Sequence, residues 1–212
     1  MKYIKCPKCE LNYIDADIQE MCDICLNELN VKNVKFIKSG PPIFQPILKE
    51  PLGYKGRAVF FVFQNKEFED EFAAGVIKAP YHDKGMYEPH HWLRLTKVKP
   101  NDIIFHGVNG CVVAISVAKG TCYDFSYPDG KQGRKIDCEY HLLKEPLVTA
   151  KYKKKIAENC QKYEYQPFNK NGTGNQGYLF DLCREVTILF ISEIAAHNSD
   201  IGTILPIKDI LS

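Results

Sequence analysis

Two Cys-x2-Cys pairs stand at the head of the chain: Cys6-Pro7-Lys8-Cys9 and, twelve residues later, Cys22-Asp23-Ile24-Cys25. Each pair can set two thiolates on one tight turn, and two such turns can close a tetrahedron around a single Zn²⁺. A segment of about 30 residues holds too little apolar surface to fold by itself, so metal binding would supply its folding free energy. Residues 1–33 therefore read as a four-cysteine zinc ribbon or knuckle, with Cys6, Cys9, Cys22 and Cys25 as ligands of one structural ion. Disulfides are disfavoured in a reducing compartment, and an iron–sulfur site is the rival occupant. Four thiolates fill the coordination sphere and the segment has no histidine, whereas a catalytic zinc needs an open position for water. Six acids against four lysines make it a poor phosphate binder by charge, suited instead to packing on, or presenting, the rest of the chain.

The other five cysteines, Cys111, Cys122, Cys138, Cys160 and Cys183, are scattered singly, and the odd total of nine excludes a fully paired secreted scaffold. The N-terminus lacks the apolar core of a secretory signal, and no apolar run approaches the roughly 20 residues that cross a bilayer. The expectation is a cytoplasmic chain with no membrane partner. A net charge of only +2 means that affinity for a polyanion must come from a local patch.

Residues 34–56 read as a linker. Within them, 38–56 hold four prolines and three glycines, a density that resists helix and central strand. From Arg57 the pattern changes. Ala58 to Phe63 is a continuous apolar run of strand length, rich in aromatic and β-branched residues, and reads as a buried strand. Asn65 is placed to cap the next segment, where Phe68 and Phe72 lie one helical turn apart. Asn109-Gly110 separates Ile103-Ile104-Phe105 from Cys111–Ala118, a strong short-range hairpin signal. Ile136, Cys138, Tyr140 and Leu142 alternate with Asp137, Glu139 and His141, as on a half-exposed strand. Leu179, Leu182, Val186, Leu189 and Phe190 recur at helical spacing and predict a terminal helix ending near Asn198. Strands outnumber helices, so the class is α+β: a strongly bent, barrel-like sheet with flanking helices over residues 57–198, followed by a tail, 199–212.

No H-E-x-x-H, G-x-S-x-G or G-x-x-x-x-G-K-[ST] motif is present. His90 and His91 are adjacent, and neighbours on a strand point to opposite faces, which argues against joint ligation of a metal. The single tryptophan, Trp92, sits among Tyr81, Tyr87, His91 and Arg94, with Lys97 and Lys99 close behind. Aromatics interleaved with cations suit base stacking and phosphate contact. Residues 131–155 hold eight Lys or Arg against three acids, and Lys151, Lys153, Lys154 and Lys155 crowd one turn, either as a solvated face or as a phosphate-tracking surface. The segment 167–178 packs Asn171, Asn175 and Gln176 among glycines, able to offer amides to an anion or a base edge, or simply to cap a helix.

These residues occur in a familiar order. Phe60 to Gln64, Gly75-Val76-Ile77-Lys78-Ala79-Pro80, His90-His91-Trp92, Gly107 to Gly110, Cys122-Tyr123-Asp124, Asp137 to Tyr140, and above all FNKNGTGNQGYLF at 168–180 resemble the EVE-like domains of modification-dependent restriction proteins, relatives of the YTH and PUA-like folds. The resemblance covers about residues 57–195. It implies a PUA-like curved sheet and a non-catalytic reader that flips a modified base, often a modified cytosine in DNA, into an aromatic pocket, at a cost of a few kcal/mol of unstacking. Carried onto this chain, the implied base pocket comprises Lys78, Tyr81, Tyr87, His91, Trp92, Arg94, Asn109, Tyr123, Asn171, Asn175, Gln176 and Tyr178. Lys97, Lys99, Lys151, Lys153, Lys154 and Lys155 would meet phosphates. The implied context is restriction-type defence, with a separate nuclease or motor protein as partner.

One departure stands out. Relatives place tryptophan where this chain has Lys78, and in YTH relatives that ring walls the pocket. Either Trp92, Tyr81 or Tyr87 supplies the wall here, or the pocket holds something else. The expected cavity is concave, basic and aromatic-walled, near Lys78 and Trp92. An RNA-binding module of the same fold, and a zinc-dependent adaptor for a separate nuclease, are the alternative functions.

Overall fold

The computed structural model describes residues 3–5 and 13–15 as backbone, then 57–204 and 207. The chain divides into two units, Met1–Phe44 and Gln45–Ser212. In the first, strands β1 (Tyr3–Lys5) and β2 (Tyr13–Asp15) pair antiparallel with Ile4 opposite Ile14. Cys6, Cys9, Cys22, Cys25 and the proline-rich segment up to Gly56 lie outside the described residues.

The second unit runs β3 (Val59–Phe63), α1 (Phe68–Ala74), β4 (Val76–Pro80), a short α2 (His90–Leu93), β5 (Ile103–Val108), β6 (Cys111–Ala118), β7 (Tyr123–Ser126), β8 (Gln132–Val148), α3 (Lys153–Cys160), β9 (Leu179–Asp181) and α4 (Arg184–His197). The strands form a curled half-barrel in the order β4-β8-β6-β5-β3-β9, with β7 also paired to β8. The class is α+β.

β3 is apolar at every position because both its faces are covered. Phe60 and Val62 point into the barrel with Ile77, Ile104, Ile136 and Leu179. Val59 and Phe61 point outward, under α3 and α4, with Phe105, Ile156, Phe168 and Phe190. Phe60 and Phe61 are each 1% exposed, so truncating either to alanine removes about 3–5 kcal/mol of packing. At the β5–β6 hairpin, Asn109 and Gly110 take φ of 49° and 80°. Those positive angles match the right-handed twist of the flanking strands and favour this dipeptide.

Four local expectations change. Leu179 belongs to strand β9, where it pairs with Val62, and the terminal helix starts at Arg184, ending as expected before Asn198. Leu142 is 49% exposed and Leu143 is buried. The pleat is interrupted there: Leu142 faces Ala114 but Leu147 faces Val112, so β8 carries extra residues. Asn198 stitches that bulge to the end of α4, accepting from Glu145 N (3.1 Å) and donating to Glu145 O (3.2 Å). Asn65 does not cap α1. Its Oδ1 accepts from the Asn109 amide at 2.9 Å, tying β3 to the hairpin tip. His90 and His91 lie on a helical turn rather than a strand, His90 exposed and His91 half-buried.

Candidate functional site

The inner face of the barrel carries a directed chain of polar groups. Ser116 Oγ lies 2.7 Å from His106 Nε2, and His106 Nδ1 lies 2.6 Å from Gln64 Oε1. Gln64 Nε2 then donates to Glu71 and, at 3.2 Å, to the Tyr140 hydroxyl, which in turn donates to Val76 O at 2.8 Å. With Nδ1–H donating and Nε2 accepting, every group in the chain has a partner. Complete burial pushes His106 down to about 3, so the ring stays neutral.

The chain ends at Glu71, which is 1% exposed. It accepts from the Tyr178 hydroxyl at 2.7 Å and from the Lys78 amide at 3.1 Å. This geometry follows from the turn after α1. Gly75 adopts the left-handed conformation, φ 66°, and its N–H closes the helix on Glu71 O and Phe72 O. β4 then begins at once and returns Lys78 to the side chain of Glu71. Burial raises the Glu71 carboxyl to about 7, against the opposing effects of Gln64, Tyr178 and Lys78. Phe68 and Phe72 stack 5.8 Å apart and, with the edge of Tyr140, roof the network.

Beside this network opens a cleft of about 310 Å³, lined by Glu67, Glu71, Lys78, Pro80, Trp92, Tyr127, Asp129, Lys131 and Tyr178. Trp92 and Tyr127, both half-buried, supply rings, and the Lys78 ammonium lies 5.9 Å from the Tyr127 ring centre. Burial, then the carboxylates of Glu71, Glu67 and Asp129, hold the Tyr127 hydroxyl well above its usual range. The cleft is therefore aromatic-walled but mixed in charge, where a basic one was expected. A contiguous groove of about 520 Å³ shares Pro80, Trp92 and Lys131 and adds Tyr81, His82, Lys84 and Met86.

Other sequence candidates sit elsewhere. His91 Nδ1 accepts from the Tyr178 amide at 3.1 Å, and burial lowers its ring to about 4, so it holds Tyr178 in place as a neutral acceptor. Arg94 is buried in an ion pair with Asp181, 5.4 Å from the Tyr165 ring. Tyr81 stacks beneath Arg134, itself paired with Glu88. Tyr87 is 42% exposed and its amide donates to Asp83. Tyr123 is on outer strand β7, its hydroxyl on Asp137 at 2.8 Å. Asn171 is exposed in the 168–177 loop. Lys97 and Lys99 are exposed near the 94–97 turn, while Lys151, Lys153, Lys154 and Lys155 are exposed at the far end of β8. The 131–155 cations thus do not form one patch, because the 17-residue β8 separates Lys131 from the lysines after it.

Asn109, Asn175 and Gln176 line a second cavity of about 530 Å³, with Phe61, Phe63, Asn65, Thr149 and Phe168. Gly177 lines this cavity and Tyr178 the first, so the run entering β9 separates the two.

No protein-family model matches the chain. No curated protein matches it. Similar solved structures include the Pho92 YTH domain in complex with m6A, at 12% identity, covering 70% of this chain and 91% of that one, TM-score 0.47. The YTH domain of Zygosaccharomyces rouxii MRB1 in complex with N6-methyladenosine RNA is 8% identical over 72% of this chain and 94% of that one, TM-score 0.44. A Pseudomonas syringae protein is 10% identical over 65% and 99%, TM-score 0.44.

Of the residues that line this cleft, Lys78, Trp92 and Tyr178 are among those the sequence singles out, and Glu67, Glu71, Tyr127 and Asp129 are not. The acids belong to runs that read as solvated surface. The one available signal was Glu71 standing between Phe68 and Phe72, on the stretch that packs against the sheet.

Proposed function

We propose that this protein binds nucleic acid and takes one modified base, a modified cytosine in DNA, into the cleft between Trp92 and Tyr127. The observation that carries the reading is the pairing of flat rings with a mixed rim. A ring sandwiched by aromatics gains about 1–3 kcal/mol from stacking. Carboxylates beside ammonium groups match a base edge that offers an exocyclic amine next to ring acceptors, and acidic side chains accept from cytosine N4. Lys78 meets the acceptors and Glu67 the amine, while Lys131 and Asp129, paired with each other at 2.6 Å, border the rim. Glu71 is a positioning residue: its oxygens are already engaged by Gln64, Tyr178 and the Lys78 amide. That saturation favours binding over catalysis. The four N-terminal cysteines hold one structural Zn²⁺ in this reading. Chemistry on the bound strand falls to a separate nuclease, in defence against foreign DNA.

Trp92 is the chain's single tryptophan, so its emission reports on the cleft directly. Single-stranded hexanucleotides with one central 5-methylcytosine, 5-hydroxymethylcytosine or cytosine, in matched DNA and RNA, should quench it in the order modified DNA, then modified RNA, then unmodified. Equal quenching by modified and unmodified strands, or none, overturns the reading. Tighter binding of RNA would transfer it to a reader that uses the 2′-OH.

A further inference from the structure

The second cavity has a lining unlike the first. Among its described residues none is charged: three phenylalanines, glycines, a threonine, Cys111 and the carboxamides of Asn65, Asn109, Asn175 and Gln176. Phe61 and Phe63 are tilted against each other and each meets Phe168 edge-to-face, with ring centres 4.8 to 6.1 Å apart, and Phe63 is only partly buried. Glycine is required where backbone approaches these rings. A Cβ on Gly107 would lie 2.5 Å from Phe61 Cε1, and one on Gly174 3.0 Å from Phe63. Asn175 donates to Gln166 O at 2.8 Å and Asn65 accepts from Asn109 N. The side-chain amides of Asn109 and Gln176 make no hydrogen bond among the described residues.

We propose that this cavity is a subsite for a second, unmodified base of the same strand, flanking the one held in the Trp92 cleft. The inference rests on the base-reading function proposed above. An uncharged cavity with an aromatic floor and free carboxamides suits a neutral planar heterocycle with donors and acceptors on its edge, and carboxamides pair two-pronged with such edges. A phosphate or carboxylate ligand would find no cation inside. Cations stand just outside. Thr149 lines the cavity, Lys151 follows two residues on, and the loop that carries Asn175 and Gln176 touches α3 at Lys153, where a Cβ on Gly172 would lie 2.2 Å from Lys153 O. Lys151, Lys153, Lys154 and Lys155, remote from the first cleft along the sequence, thus acquire a role beside the second as phosphate contacts. Consecutive residues Gly177 and Tyr178 line the two cavities at the head of β9, the edge strand of the sheet, so a strand that crosses this edge meets both.

The test uses the full chain and the 5-methylcytosine DNA hexanucleotide, with an abasic site placed 5′ or 3′ of the modified base in two further probes, all read by Trp92 emission. One abasic probe should bind about tenfold more weakly than the intact strand, the value of one lost base-edge contact pair. The Asn109→Gly/Gln176→Ala variant, altered at exposed positions and carrying at 109 a residue that tolerates the φ of 49° found there, should bind the intact strand as weakly as wild type binds that abasic probe, and should no longer distinguish the two. In wild type, the Asn109 and Gln176 side-chain amide NMR signals should shift with the intact strand only. Quenching that is equal for intact and abasic probes, or a variant that still distinguishes them, overturns the second subsite and leaves the cleft reading standing. No Trp92 response to any probe overturns both.

Discussion

The Tyr178 hydroxyl donates to the Glu71 carboxylate at 2.7 Å across 107 positions of sequence. This contact joins the strand that enters from the amide-rich loop to the first helix after β3, and it sets the floor of the aromatic cleft. Tyr178→Phe should destabilise the protein by about 1–3 kcal/mol, because a buried acceptor loses a donor. It should also move the Glu71 titration above about 7, since that hydrogen bond opposes the upward push of burial. Carboxyl NMR of wild type and variant across pH 5–9 checks both; an unmoved midpoint would show that the bond carries no weight.

Glu71 and His106 give the protein opposed pH dependences. Native Glu71 keeps its proton to about 7 against an ordinary 4.5, so between those values the native state binds more protons than the unfolded state. Stability from Glu71 therefore falls as pH rises from 4.5 to 7, by about 3 kcal/mol in all. Native His106 is held near 3 against an ordinary 6.5, so it binds fewer protons than in the unfolded state. Its contribution is lost as pH falls below 6.5. The two slopes offset each other between pH 4.5 and 6.5. Glu71→Gln removes the Glu71 slope and keeps those of His106 and of His91, whose ring burial lowers to about 4, so urea stability should climb with pH more steeply than in wild type, by about 1.4 kcal/mol per pH unit across that window. A flat profile in the variant would refute the assignment.

How far the sequence revealed this architecture depends on how local the determining forces are. The β3 run and the Asn109-Gly110 turn are legible because burial on two faces and positive φ leave direct marks on composition. The Leu142 and Leu143 reversal is not, because the bulge that causes it is stabilised by Asn198, 53 positions away from Glu145. Leu179 fits a helical period, yet pairing with Val62 places it in a strand. At the site, Trp92 and Lys78 were visible as unusual residues in unusual settings. Arg94 and His91 looked equally functional, but their partners Asp181 and Tyr178 come from β9 and the residue just before it, and give them structural work.

The 168–177 loop should be intolerant of a single methyl group. Gly172 has φ 69°, and its Cβ would meet the Lys153 carbonyl oxygen at 2.2 Å. Neither the loop nor the first turn of α3 can yield without breaking backbone contacts, so Gly172→Ala should cost about 2–4 kcal/mol from left-handed strain plus overpacking. Gly110→Ala, which meets nothing within 4 Å at φ 80°, isolates the strain alone and should cost about 1 kcal/mol. Thermal melts of both separate the two effects; equal losses would mean that the close approach to Lys153 does not constrain the loop.

The proposed zinc site carries a separate quantitative prediction. Four thiolates from Cys6, Cys9, Cys22 and Cys25 can satisfy one tetrahedral ion. The purified full chain should therefore carry one zinc per molecule and no iron, measured by elemental analysis. Because the thiolates must be deprotonated to bind, acidification should release the metal together with protons taken up by sulfur. Cys22→Ser removes one ligand and should abolish stoichiometric binding, while Cys111→Ser, at a half-buried position on β6, should keep it. Visible charge-transfer absorption from bound iron, or undiminished zinc in Cys22→Ser, would overturn the assignment of these four residues.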